Sequence, residues 1–152
     1  MSAADRVGPE AALLTEIILL VFRVNGQLLE AGDRLVKDLG LTSARWQMLG
    51  AIALSGAPCT APRLAARMGM TRQGAQKQLD LLRAAGLVDA RSNPGHLRSP
   101  LYVLTSKGAS VYAATERVQR RWANELVRDI SRQDLVATKR LLEALGRKLR
   151  ES

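Results

Sequence analysis

The sequence predicts a mainly α-helical chain with one small β-hairpin set between its fourth and fifth helices. Three observations carry this. Apolar residues recur at three- and four-residue steps through most of the 152 residues, the period of an amphipathic helix. Two of the helical runs are joined only by Gly69 and Met70, a link that forces a steep crossing. Asn93-Pro94-Gly95, strong turn chemistry, parts two strand-like runs.

The elements follow in order. Residues 1–9 read as a frayed start, and Pro9 and Glu10 suit a first helical turn, Pro for its fixed φ and Glu for the dipole's positive end. Leu13, Leu14, Ile17, Ile18, Val21, Val24, Leu28 and Leu35 then mark a long amphipathic helix ending near Gly40. Its wide apolar stripe calls for a partner helix, from this chain or another. A second helix spans 41–54, capped by Thr42 or Ser43, with Trp46, Leu49, Ile52 and Ala53 inward. After the turn at Ser55-Gly-Ala-Pro, Thr60 caps a third helix with Pro62 in its first turn and Leu64, Ala65 and Met68 as its apolar side.

The fourth helix, from Thr71 to Gly86, organises the rest. Thr71 suits an N-cap and Gly86 the left-handed closing position. Ala75, Leu79 and Leu82 share one side; Gln73, Gln76, Lys77 and Asp80 fall on or near the other. That second side is rich in amides with a cation, the groups that read base edges, where a merely solvated face would more often alternate Glu and Lys. The helix reads as a DNA-reading helix. Strands at 87–91 and 98–104 follow, with Pro100 confined to an edge or bulge because it cannot donate to a ladder. A fifth helix runs from Thr105 to about Asp129. The last opens on Ser131 and Asp134, a capping box with Asp for Glu, and carries Leu135, Leu142, Leu145 and Leu149.

Composition narrows the partners. A net charge of +9 favours phosphate polyanions or anionic membrane. Aromatic content of 3% denies the chain the stacking platforms of single-strand binders. One cysteine, Cys59, and one histidine, His96, exclude an internal disulfide and a multi-cysteine or His-based metal cluster. No cofactor or metal is expected. The N-terminus lacks the pattern of a signal peptide, and the longest apolar run, Ile17 to Phe22, is too short to span a bilayer. The expectation is a soluble, cytoplasmic protein with no membrane partner.

The order of helix, helix, helix, reading helix, wing, helix, helix resembles the MarR family of bacterial transcriptional regulators over nearly the whole chain. Four segments in register carry the likeness: Leu41-Thr-Ser-Ala-Arg-Trp-Gln-Met-Leu, Leu64-Ala-Ala-Arg-Met-Gly-Met-Thr-Arg-Gln, Leu81-Leu-Arg-Ala-Ala-Gly-Leu-Val and Leu104-Thr-Ser-Lys-Gly. The resemblance implies a winged helix-turn-helix with a two-stranded wing and long N- and C-terminal dimerisation helices. It divides the chain into an N-terminal helix at 1–40, a DNA-binding domain at 41–105 and C-terminal dimerisation helices at 106–152. It implies a homodimer on double-stranded DNA, reading helix in the major groove and wing tip at the adjacent minor groove. Arg98 falls where the family's wing arginine sits. His96 stands where the family often has Asp, and Leu97 replaces a common basic residue. The reactive first-helix cysteine of the peroxide-sensing branch is absent. Family members bind small aromatic effectors near Arg45 and Trp46, so a small aromatic or anionic effector is expected there.

The candidate DNA contacts are therefore Thr71, Arg72, Gln73, Gln76, Lys77, His96 and Arg98. Lys77 could serve phosphate or guanine, and Gln73 and Gln76 an adenine edge. Thr71 and Arg72 lie at a helix N-terminus, which attracts phosphate. A basic wing tip at Arg98 suits a narrow minor groove. For each a plainer alternative stands: a solvated helix face, a solvent arginine, a polar loop at His96, core packing for Trp46 and a surface or pocket charge for Arg45. Cys59 reads as a small structural residue. Arg117, Arg120 and Arg121 read as a solvated face. The reading is a ligand-responsive transcription regulator, usually a repressor, and not an enzyme, since no paired acidic motif accompanies the lone His and Cys. The alternative is a non-catalytic helical adaptor that binds RNA or anionic membrane.

Overall fold

The computed structural model describes residues 7–152. The chain divides into two compact units, one ending at Val118 and one of Gln119–Ser152. The elements are α1 (Pro9–Val36), a short 3-10 turn at Lys37–Leu39, α2 (Ser43–Ala53), β1 (Cys59–Thr60), α3 (Ala61–Met68), α4 (Arg72–Ala84), β2 (Val88–Arg91), β3 (Leu101–Leu104), α5 (Ser106–Leu126) and α6 (Arg132–Glu151). The expected frayed start falls mostly on residues outside those described, and Pro9 opens α1 itself.

In the first unit α2, α3, α4 and the sheet enclose the core. Val36, Met48, Leu49, Leu64, Leu79, Leu82, Val88 and Tyr102 are almost wholly buried. Burying each Leu contributes about 1.5–3 kcal/mol. Ala75, Leu79 and Leu82 of α4 all face this core, as their spacing requires. On α2 the inward set differs from expectation. Met48 is wholly buried, whereas Trp46 and Ala53 are only half-buried. Trp46 packs against the core from its margin, with its ring also toward α1, 3.6 Å from where a Gly32 β-carbon would be.

Caps set the element boundaries. Thr42 Oγ1 accepts from the Arg45 N–H, and Thr71 Oγ1 from the Gly74 N–H, at 3.3 and 3.0 Å. Gly69 and Gly86 adopt φ of 63° and 73°, open to glycine at no steric cost. At each, the following residue donates back five positions, Met70 to the Ala65 carbonyl and Leu87 to the Leu82 carbonyl. The first closure lets α3 turn into α4 across three residues, Gly69, Met70 and Thr71, and the second ends α4 before β2. Ser131 Oγ accepts from the Asp134 N–H at 3.0 Å and donates to its carboxylate at 2.7 Å. The Asp134 side chain thus meets the Ser131 hydroxyl rather than its backbone N–H, half of a capping box.

β2 and β3 form the expected two-stranded hairpin, and β1, which was not expected, adds a third strand to its sheet. The order is β1-β3-β2, all antiparallel, with Cys59 opposite Tyr102 and Arg91 opposite Leu101. Thr60 sits at the N-cap position of α3 but makes no side-chain capping bond. β1 makes β3 a central strand, so Pro100 is at neither an edge nor a bulge. It lies in the loop before β3, and the ladder begins beyond it at Leu101. α5 ends at Leu126, three residues before the expected Asp129, which closes a turn.

α1 corrects the reading of apolar length. Pro9–Leu39 holds an 18-residue window of mean hydropathy 1.6, long and apolar enough by composition to cross a membrane, and none of that window is buried. The longest unbroken run is short because Glu16, Arg23 and other polar residues interrupt it without lowering the average. Leu13, Leu20 and Phe22 stand exposed, Phe22 at 70%. In the second unit Ile130, Leu135, Leu142 and Leu149 of the α6 region are likewise exposed.

Candidate nucleic-acid interface

α4 places its polar side outward by the same rotation that buries Ala75, Leu79 and Leu82. Arg72, Gln73, Lys77 and Asp80 are exposed and Gln76 is half-buried. Thr71 holds the N-terminus as the cap, leaving the first-turn N–H groups and Arg72 at the positive end of the helix.

The wing loop is shaped by Asn93. Its Oδ1 accepts from the Gly95 N–H at 3.2 Å, and its Nδ2 donates to the Ser99 carbonyl at 2.9 Å. His96 N–H donates to the Asn93 carbonyl and Ser99 N–H to the His96 carbonyl, so two turns follow one another. This pushes His96, Leu97 and Arg98 into solvent, Leu97 at 87% exposure.

Helix and wing come together in one shallow cleft. Arg72, Gln73 and Gln76 line it from α4, Arg98, Ser99 and Pro100 from the wing, and Ala61 and Pro62 from the start of α3. A second depression on the same side is lined by Gln73, Gln76, Lys77, Asp80 and Leu81. Arg72, Gln73, Gln76, Lys77 and Arg98 therefore share one surface. His96 lines neither depression and projects from the loop.

Sequence reasoning missed the surroundings of Gln76. Its Nε2 donates to Asp80 Oδ1 at 2.9 Å and to the Tyr102 hydroxyl at 3.1 Å. Asp80 lies one helical turn away, a spacing readable in the sequence. Tyr102 is 26 positions distant, on β3, and only the folded sheet brings it there.

The remaining candidates lie elsewhere. Arg45 donates through Nε to Thr42 Oγ1 at 3.3 Å, and Trp46 is half-buried beside α1. Ser43 joins them at this seam, its N–H donating to Asp33 Oδ1 at 2.6 Å and its hydroxyl to the Leu29 carbonyl at 2.5 Å. Cys59 is buried in β1 opposite Tyr102. Among the described residues no group of three or more His, Cys, Asp or Glu is placed to hold a metal ion.

Comparisons with known proteins agree with this architecture. A model of the MarR family matches residues 39–99, which spans α2 through the wing loop. The uncharacterized protein Rv2011c of Mycobacterium tuberculosis is 40% identical over 105 residues, covering 68% of this chain and 72% of that one. The crystal structure of the MarR family transcription regulator SP03579 superposes with a TM-score of 0.79 at 26% identity, covering 93% of both chains. A mutant MarR from E. coli, complexed with operator DNA, gives a TM-score of 0.78 at 22% identity over 87% of this chain and 94% of that one.

Proposed function

The chain belongs to the MarR family of transcription regulators, and on that premise we propose that it is a ligand-responsive repressor binding a pseudo-palindromic operator as a homodimer. One observation carries the DNA-binding part. Arg72, Gln73, Gln76 and Lys77 of α4 share a surface with Arg98 of the wing, so a helix carrying amides and cations faces the same way as a basic loop tip. In the proposed complex α4 enters the major groove and the wing reaches the adjacent minor groove. The operator DNA bound by the E. coli relative supports the same direction. Thr71, Arg72 and Lys77 take phosphate or base edges, Gln73 and Gln76 take base edges, and His96 and Arg98 meet the wing-side groove. Phosphate contacts from this +9 chain supply most of the affinity.

The exposed apolar residues of α1 and, separately, of the α6 region support dimerisation, since contiguous exposed apolar surface marks interaction sites. We assign residues 1–40 and 106–152 to that role and 41–105 to DNA binding. The seam holding Arg45 and Trp46 is the proposed site of a small aromatic or anionic effector. Such a ligand acts only through a difference in affinity between DNA-competent and incompetent states. The protein works in the cytoplasm without catalysis and without a cofactor.

Titration of the full chain against duplex from upstream of its own gene tests the proposal. Binding that weakens steeply with added salt is expected; salt-insensitive binding, or none below physiological salt, overturns it. A second reading is favoured by α1 alone: an adaptor on anionic membrane, suited by the apolar window. Flotation with vesicles of phosphatidylserine and phosphatidylcholine separates the two, and the regulator stays unbound.

A further inference from the structure

We propose that Gln76, held by Asp80 and Tyr102, reads as an acceptor only, selecting a base with a major-groove amino group, cytosine or adenine, and not pairing both atoms of an adenine edge. This rests on the DNA-binding reading above.

A primary carboxamide has two N–H donors on nitrogen and an acceptor oxygen. At Gln76 the nitrogen donates to Asp80 Oδ1 at 2.9 Å and to the Tyr102 hydroxyl at 3.1 Å. An ionised carboxylate can only accept, so the nitrogen, not the oxygen, must face Asp80. Both donors are then committed and Oε1 is the atom left for a ligand. The two-atom pairing of Gln with adenine needs an N–H to N7 as well as an oxygen accepting from N6. Gln76 offers only the second half. Among the described residues nothing donates to the other oxygen of the exposed Asp80, so the next turn of α4 also presents an acceptor. Cytosine N4 and adenine N6 are donors that suit this pair, while guanine and thymine present acceptors that repel it.

Tyr102 makes the arrangement stiff. It is 2% exposed on the central strand, opposite Cys59 on one side and Ala90 on the other. Its hydroxyl cannot follow a moving glutamine, so the wing sheet sets what α4 can read. Tyr102 and Asp80 are positioning residues. Gln73, a turn earlier, makes no side-chain hydrogen bond among the described residues and keeps both functions of its amide.

The test is selection of bound sequences from a random duplex pool by the full-length wild type, Gln76→Ala, Asp80→Ala and Asp80→Ala/Tyr102→Phe. Gln76→Ala identifies the base position that Gln76 reads in each half-site. At that position the wild type is expected to enrich cytosine and adenine about equally. The double variant, with both amide donors released, is expected to prefer adenine over cytosine by about tenfold, within the discrimination of a good bidentate pair. Asp80→Ala, at an exposed site, moves in the same direction without risk to folding. An adenine preference already that strong in the wild type overturns the inference, as does an unchanged pattern in Asp80→Ala and the double variant. If Gln76→Ala changes no position while the wild type still enriches an operator, this inference falls and the DNA-binding reading stands. Enrichment of nothing by the wild type removes both.

Discussion

The carbonyl oxygen of Leu87 occupies the space that a β-carbon on Gly108 would need. This is where the first turn of α5 closes on the end of α4. Thr105 Oγ1 donates to the Gly86 carbonyl at 2.7 Å, and Lys107 Nζ to the Ala85 carbonyl at 3.0 Å. Those carbonyls lie at a helix end that cannot satisfy them internally, and the lysine also meets the negative end of the dipole. Thr105 Oγ1 in turn accepts from the Gly108 N–H.

Gly108→Ala should therefore lower stability by about 1–3 kcal/mol, the range for forced overpacking, because backbone rather than a mobile side chain must move. Lys107→Ala should cost less, since its bond is exposed. Urea midpoints of the two variants against wild type check both the size and the order.

A related contact joins α1 to α2. A β-carbon on Gly32 would collide with Ser43 Oγ, the atom that donates to the Leu29 carbonyl. Gly32→Ala is expected to destabilise by about 1–3 kcal/mol. Ser43→Ala should recover part of that loss by removing the colliding atom, so the two changes are non-additive in a double-mutant cycle. Strict additivity would refute the contact.

Much of this was legible beforehand because it is local. The three apolar positions of α4 at helical spacing are all buried, and Thr71 and Gly86 cap the helix where their chemistry fits. What escaped was set by tertiary pairing. β1 is only Cys59–Thr60, too short for any alternation and adjoining a Pro-led helix, so nothing local marks it as strand. The tie from Gln76 to Tyr102 joins α4 to β3 across 26 positions, so no local pattern marks it. Trp46 packs against the core from its margin, while Met48, slender and unbranched, is the wholly buried residue of α2 that helical spacing alone did not single out.

The Tyr112 phenol titrates above its ordinary value of 10.0, because burial disfavours the phenolate and Glu116 adds a like charge. The folded state thus holds that proton more tightly than the unfolded chain does. The resulting stability is fully present below pH 10 and is lost as pH rises through the raised folded value. Unfolding midpoints measured at stepped alkaline pH should fall less steeply for Tyr112→Phe than for wild type.

Lys77 lies on α4 and Arg98 on the wing loop, so substituting each tests the proposed helix contact and the proposed wing contact separately. Each Ala variant should weaken duplex binding, and each lost phosphate contact should make the slope of log affinity against log salt shallower by about 0.9. Neither is among the exposed apolar residues of α1 or of α6, so an unchanged oligomeric state is expected by sedimentation. Full affinity in the double variant would take these two side chains out of the interface.

In the proposed complex α4 meets a duplex twice, once from each subunit of a two-fold dimer. Selection of bound duplexes from a random pool by the unaltered full-length chain tests this most directly. The predicted product is an inverted repeat whose half-site centres lie about one helical turn, roughly 34–36 Å, apart. A pool that stays unenriched, or yields a single unrepeated motif, would contradict it.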